Sequence, residues 1–241
     1  MTSEIEIIYH NEDIIVINKP PGVSTHGGLS VMGETIADIL VKQFPEILGV
    51  GEDPARPGIV HRLDKDTSGV MIVARNQKTF EVLKAIFKER RAEKTYYAIV
   101  CGKLRDHTGV IDFAIGRMAN NPTRRGAVMG RNKIRGEREA RTEYRVLKEG
   151  TAYSLVELKP KTGRMHQLRV HMKALGHPIA CDRVYGGKNV CCPAGVSRQL
   201  LHARSLRFSF PGGQAFYFEA DPPEDFRSAG FELASIERRQ F

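Results

Sequence analysis

The sequence predicts an α+β fold built on a mixed sheet, and three observations predict it. Short runs rich in Val, Ile, Tyr and Phe recur along the chain, bounded by Gly, Pro, Asn and charged turns. Only three stretches carry helical periodicity. Strands and helices do not alternate strictly, as a doubly wound parallel sheet would require.

In chain order the strand-like runs are residues 5–9, 14–18, 69–74, 95–100, 142–147, 152–158, 205–210 and 214–219. The first helical pattern covers residues 35–44. The second follows Asn76, a suitable N-cap, and places Phe80, Leu83 and Phe87 on one face with Val82 and Ile86 flanking it. The third covers residues 165–175. Residues 117–141, with Gly126, Gly130 and Gly136 and weak periodicity, read as a basic loop or insertion within a single domain spanning 1–241.

The 241 residues suffice for a real core, and 41% hydrophobic with 27% charged residues is the balance of a soluble globular protein. Thirty-seven Lys and Arg against 28 Asp and Glu give +9, which favours polyanionic partners such as nucleic acid. Residues 117–148 concentrate that charge: ten basic side chains face only Glu137, Glu139 and Glu143, a surplus of +7. Arg124, Arg125, Arg131 and Lys133 lie there and are candidate phosphate contacts, since each neutralised phosphate releases condensed counterion. The opening MTSEIEIIYH carries acids and no long apolar run, which argues against a signal peptide. No stretch approaches the roughly 18 apolar residues of a membrane span. Cys101, Cys181, Cys191 and Cys192 show no CxxC spacing, and the neighbours Cys191 and Cys192 are poorly placed to bridge each other. Reduced thiols in a cytoplasm are therefore expected.

Residues 58–69 read Gly-Ile-Val-His-Arg-Leu-Asp-Lys-Asp-Thr-Ser-Gly. A strand-like Ile59-Val60 enters a polar turn, and Gly69 opens a fresh apolar run. Asp64 and Asp66 fall in this turn, where backbone N–H groups and hydroxyls can fix a carboxylate's direction. On the residues alone two readings stay open: a turn in which Asp64 satisfies the backbone, and a turn that presents a carboxylate for chemistry.

His61-Arg62-Leu63-Asp64 with Thr67-Ser68-Gly69 resembles the HRLDxxTSG signature of the RluA-type RNA pseudouridine synthases. Companion segments follow in that family's order. Asn18-Lys19-Pro20-Pro21-Gly22 is similar to its NKPxG segment, Lys94-Thr95-Tyr96-Tyr97-Ala98 to its KxYxA segment, and residues 162–171 to its TGRTHQIRVH segment. Gly176-His177-Pro178-Ile179, Asp182, Tyr185-Gly186 and Leu201-His202-Ala203 complete a likeness spanning residues 6–222. Met165 and Leu168 replace the family's Thr and Ile, and Cys181 stands where Gly is usual, a site where φ > 0 is cheap only for Gly. The likeness begins at residue 6, so a catalytic domain without the S4 domain of many relatives is expected.

The resemblance implies a mixed, largely antiparallel sheet with flanking helices around a central RNA-binding cleft. It implies isomerisation of uridine to pseudouridine without a cofactor or metal. Asp64 would be the catalytic carboxylate, Arg169 the guanidinium that favours its charged form, and Tyr96 the tyrosine lying against the uracil. Strand alternation turns Tyr97 the other way. Arg62, Lys19 and His61 are read as RNA contacts, with Arg62 filling the space of a flipped uridine and Lys19 holding the site wall or a phosphate. The partner would be structured RNA, ribosomal before transfer RNA, with no membrane and no dedicated protein partner, for a cytoplasmic monomer. Rival readings are a non-catalytic RNA-binding module of the same fold, a metal enzyme and a glycosidase. The metal reading would use His166, His171 and Cys181, but the two histidines, five apart, diverge by about 140° on a helix and do not stack as ligands would. Glycosidases pair two carboxylates around the bond, whereas Asp66 lies two residues from Asp64 in a tight turn.

Overall fold

The eight apolar runs all form strands and the three periodic stretches all form helices, in a computed structural model that describes residues 5–27, 33–130, 134–188 and 190–231. The strands are β1 (Glu6–His10), β2 (Ile14–Lys19), β3 (Ser68–Ala74), β4 (Glu93–Cys101), β5 (Thr108–Ile111), β6 (Ile115–Met118), β7 (Asn121–Ala127), β8 (Ile134–Arg138), β9 (Thr142–Glu149), β10 (Tyr153–Pro160), β11 (Leu201–Ser209) and β12 (Ala215–Glu219). The helices are α1 (Ile36–Gln43), α2 (Gln77–Lys88) and α3 (Gln167–Ala174). The described residues divide into two compact units, one drawn from residues 5–96 and 202–221, the other from residues 97–201 and 222–231.

In the first unit the strand order is β1-β2-β3-β11. The pairings are antiparallel except β3 with β11, which is parallel, and β12 pairs β11 antiparallel. Successive side chains of β2 and β3 serve two cores. Ile14, Val16, Val70 and Ile72 pack with Phe80, Leu83 and Ile86 of α2, while Ile15, Ile17, Met71 and Val73 pack with Ile36, Ile39 and Leu40 of α1. A strand covered on both faces must be apolar at every position, which is why β3 reads as an unbroken hydrophobic run. Thr35 and Asp38 cap α1 reciprocally, and Asn76 accepts from the Thr79 N–H at 2.8 Å to open α2. In α2 it is Ile86 that is fully buried, and Phe87 only partly so.

In the second unit β4, β10, β9 and β5 lie side by side in that order, and β7-β6-β8 form a separate antiparallel sheet. The stretch expected as a loop is therefore strand over most of its described length, with residues 131–133 outside the description. Arginine and glycine are poor strand signals, which hid it. Its root is buried: Ile115, Ala127 and Ala140 pack with Val170 of α3 and with Tyr185.

The cysteines correct the expectation of reduced thiols. Cys101 is bridged to Cys191 and Cys181 to Cys192, with Cα separations of 5.8 and 4.7 Å. Backbone pairing brings them together, as the Cys101 and Cys181 N–H groups donate to the carbonyls of Pro178 and Cys191. Contacts between segments 90 residues apart leave no trace in local spacing. Cys181 has φ +60°, the left-handed conformation that glycine takes most cheaply.

Candidate active site

The turn carrying Asp64 is cast against the Asn18–Gly22 segment of the same unit. Lys19 is fully buried, and its ammonium donates to the carbonyls of Pro20, Lys65 and Thr67 at 2.8, 2.9 and 3.0 Å. The Gly22 N–H also donates to the Lys65 carbonyl, at 3.0 Å, from a turn in which φ is +84°. Thr25 donates its hydroxyl to the Leu63 carbonyl at 2.9 Å, and Leu63 itself is sunk in the core beside α1. Carbonyls drawn inward leave the side chains of this short turn pointing away from the core: Arg62 and Lys65 are exposed, Asp64 and Asp66 half-buried.

The far end of the turn is locked to β11. A Cβ on Gly69 would meet the Ala203 carbonyl oxygen at 2.2 Å, and its φ is +114°, so only glycine fits where the two strands pair. His202 bridges Ser68 and Ala220: its Nε2 donates to the Ala220 carbonyl at 2.9 Å, so its Nδ1 accepts from the Ser68 hydroxyl at 2.9 Å. Thr67-Ser68-Gly69 and Leu201-His202-Ala203 thus serve the fold.

Asp64 and Tyr96 come together in the first unit. Tyr96 packs against the core cluster that includes Leu63, and burial together with the Asp64 charge pushes its phenol above the ordinary range. Tyr97, by contrast, is core, packed with Ile99, Leu155, Leu200 and Phe226. His61 stacks on Phe87 at 4.4 Å, and its Nε2 accepts the Ile72 N–H at 3.1 Å. An accepting Nε2 requires the neutral ring, and burial with the Lys94 charge pulls its pKa down to about 3. Burial and Arg90 in turn lower Lys94, two residues before Tyr96 on β4.

Arg169 belongs to the second unit. Its Nε and Nη2 fork onto Asp182 at 2.7 and 2.9 Å, both residues being buried, and its guanidinium lies over the Tyr185 ring at 5.1 Å. Asp182 also accepts the N–H groups of Val184 and Tyr185 at 3.0 Å. Tyr185 Oη lies 2.8 Å from His166 Nδ1, and His166 opens α3 at φ +57°, a strained setting for a non-glycine residue. The side chains of Gln167, Thr162 and Thr142 then form a buried chain that ends at His171. His171 donates through Nε2 to the Phe113 carbonyl, and burial lowers its pKa. With both nitrogens engaged it is no candidate metal ligand.

Of the residues read as RNA contacts, Arg62 is exposed, with His26 at 3.2 Å from its Nη1. Lys19, read as holding the site wall or a phosphate, is buried with its ammonium donating to three carbonyls, which fits the wall. His61 is occupied internally. Arg124 is exposed and Arg125 half-buried on β7, while Arg131 and Lys133 lie outside the described residues. Asp182, Tyr185 and His202 stood in the quoted segments without a role, and Thr25 carried no signal at all.

The pattern of the RNA pseudouridylate synthase family matches residues 13–174. The chain is 45% identical over 183 residues to the ribosomal large subunit pseudouridine synthase D of Borreliella burgdorferi, covering 76% of this chain and 55% of that protein. It is 38% identical to an uncharacterized RNA pseudouridine synthase of Aquifex aeolicus, covering 93% and 71% of the two chains. The chain spans between half and two thirds of the length of the first relatives it matches, 55% and 62%. Human RNA pseudouridylate synthase domain containing 1 superposes with a TM-score of 0.75 at 30% identity, covering 92% of this chain and 85% of that one.

Proposed function

The chain belongs to the RNA pseudouridylate synthase family, and on that premise we propose that it isomerises uridines of structured RNA to pseudouridine with Asp64 as the catalytic carboxylate. The observation that carries this reading is the turn itself: a carboxylate held beside a half-buried tyrosine by a backbone that Lys19 and Thr25 fix from behind.

The reaction breaks the N1–C1′ bond, turns the uracil and joins C5 to C1′. One proton leaves C5 and one is gained at N1, so no electrons enter or leave. An ionised Asp64 serves it by attacking the sugar or the base, or by assisting departure of the uracil. Tyr96, held as a neutral phenol, offers a ring for the uracil and a hydroxyl that passes a proton on, and is not a resting phenolate base. Arg169 is assigned to the same reaction by its motif, with Asp182 as its anchor. Arg62 is assigned to the space of the flipped uridine or to its displaced backbone. Ribosomal RNA is the favoured substrate, because two relatives matched over most of this chain carry the name ribosomal large subunit pseudouridine synthase D; transfer RNA comes next.

The alternative, an RNA-binding module without chemistry, needs no aimed carboxylate. Incubation with large-subunit ribosomal RNA, followed by assay for pseudouridine and free uracil, separates the readings. Pseudouridine is expected from the parent and essentially none from Asp64→Asn, which should fold and bind RNA normally. Free uracil would instead indicate a glycosidase, and full turnover by Asp64→Asn would refute the assignment.

A further inference from the structure

The small sheet of the second unit sets three arginines in one rung. Arg117 of β6 stands opposite Arg125 of β7 on one side and opposite Arg135 of β8 on the other. Residues directly paired across strands share a face, with strands about 4.8 Å apart, so three like charges crowd within about 10 Å. Neighbours this close lie inside the Debye length of about 8 Å, and like charges directly opposite destabilise a sheet. Arg117 and Arg135 are exposed and Arg125 is half-buried.

A bulge puts Arg135 there. Ile115 pairs with Arg138, so a regular ladder would set Gly136 opposite Arg117; the register shift brings Arg135 instead, with Gly136 at φ +59°. One step toward the root on the same face, Ile115 and Ala127 are paired and buried against Val170 of α3 and Tyr185. The Arg125 N–H donates to Tyr185 Oη at 3.1 Å, and Arg169 lies over that same ring. On the other face Ile134 closes over Gly116 and Gly126, where added Cβ atoms would come within 2.5 and 2.6 Å of it. The arginine rung therefore extends the face that packs on the helix bearing Arg169.

We propose that Arg125, Arg117 and Arg135 form a phosphate-binding rung that grips the RNA backbone beside that helix. The proposal rests on the reading of the chain as an RNA enzyme and adds the place of the grip. Planar guanidiniums suit phosphate oxygens through paired hydrogen bonds, and such contacts position RNA without reading its sequence. A polyanion also relieves the repulsion that the free sheet bears.

The test compares the salt dependence of binding to a target RNA and an unrelated RNA for the parent, Arg117→Gln, Arg135→Gln and the double variant. Lys103→Gln, an exposed lysine of the same unit, controls for net charge. Each arginine variant should flatten the log–log slope by about 0.7–0.9 for both RNAs, and KM should rise more than the saturating rate falls. Arg117→Gln should also raise the melting temperature of the free protein at low salt. Slopes parallel to the parent's would overturn the proposal, as would a slope change in Lys103→Gln as large as in Arg117→Gln. Pseudouridine formed with unaltered slopes removes the grip and leaves the isomerase reading. Flattened slopes in a protein that forms no pseudouridine leave the grip and remove the isomerase.

Discussion

Replacing Lys19 by Met withdraws a buried ammonium from the carbonyls of Pro20, Lys65 and Thr67. Hydrogen bonds to a charged donor contribute about 1.5–3 kcal/mol each, a gross of about 4.5–9 kcal/mol for three. Burying an ammonium costs several kcal/mol, and the Met variant no longer bears that cost. The net destabilisation is then about 2–4 kcal/mol, with the thioether filling much of the aliphatic channel. In a chain of this length that lowers Tm by about 2–4 °C per kcal/mol. The catalytic consequence should be larger in proportion, because the freed carbonyls bracket the turn that aims Asp64, and a displacement of about 1 Å at a reacting group can cost about 10²-fold in rate. Urea unfolding, single-turnover isomerisation and hydrogen exchange at residues 64–68 together read both effects. Lys19→Arg should not rescue, since a planar fork cannot meet three carbonyls converging on one point. A variant with parental stability and rate would refute the reasoning, and lost stability with full rate would show that Lys19 supports the fold without aiming Asp64.

Tyr96→Phe should lower the rate by about 10²–10⁴-fold through loss of the hydroxyl, while Tyr97→Phe, altering a core ring, should leave it near parental; the reverse pattern in a rate assay would mean that β4 is read in the wrong register. His61 is neutral when folded, with its pKa pulled to about 3, whereas the unfolded chain binds a proton near pH 6.5, so its contribution to stability is present above pH 6.5 and lost as pH falls toward 3. His61→Phe keeps the stack on Phe87, strands the Ile72 N–H at a cost of about 1–3 kcal/mol, and should reduce the loss of stability between pH 7 and 5; an unchanged difference between urea midpoints at those two values would count against it. Arg169→Lys keeps the charge but loses the fork on Asp182, so the saturating rate should fall by more than about 10²-fold, and a normal rate would remove Arg169 from the reaction.

Contiguity decided what was legible. The residues assigned to chemistry lie in strings of consecutive positions, and the two-sided burial of β2 and β3 wrote the first unit's core into unbroken apolar runs. The basic sheet was hidden because its strands are short and rich in arginine and glycine, so pairing and the packed root at Ile115 and Ala127 hold it rather than local propensity. The Cys101–Cys191 bridge was hidden because its partners are 90 residues apart and meet only through backbone pairing. The left-handed turn at Cys181 was visible only as a departure, a cysteine at a glycine's place.

Lys19 and His61 both read as RNA contacts in the sequence, with the site wall as the other reading of Lys19. His61 stands three residues from Asp64, where an imidazole invites a substrate role, whereas Lys19 lies 45 residues away in the Asn18–Gly22 segment. What decides between that role and a structural one is the state of the backbone around it. A turn tight enough to present Asp64 draws its own carbonyls inward, and buried carbonyls need donors. Lys19, three donors on one flexible stem, can satisfy several converging oxygens at once, which no uncharged side chain can do from a single atom. His61 answers the opposite need, an inward N–H on β3, and can do so only as the neutral ring. The signature is thus two kinds of residue interleaved: Arg62 and Asp64 turned outward, and His61, Leu63, Ser68 and Gly69 spent on the turn that points them there.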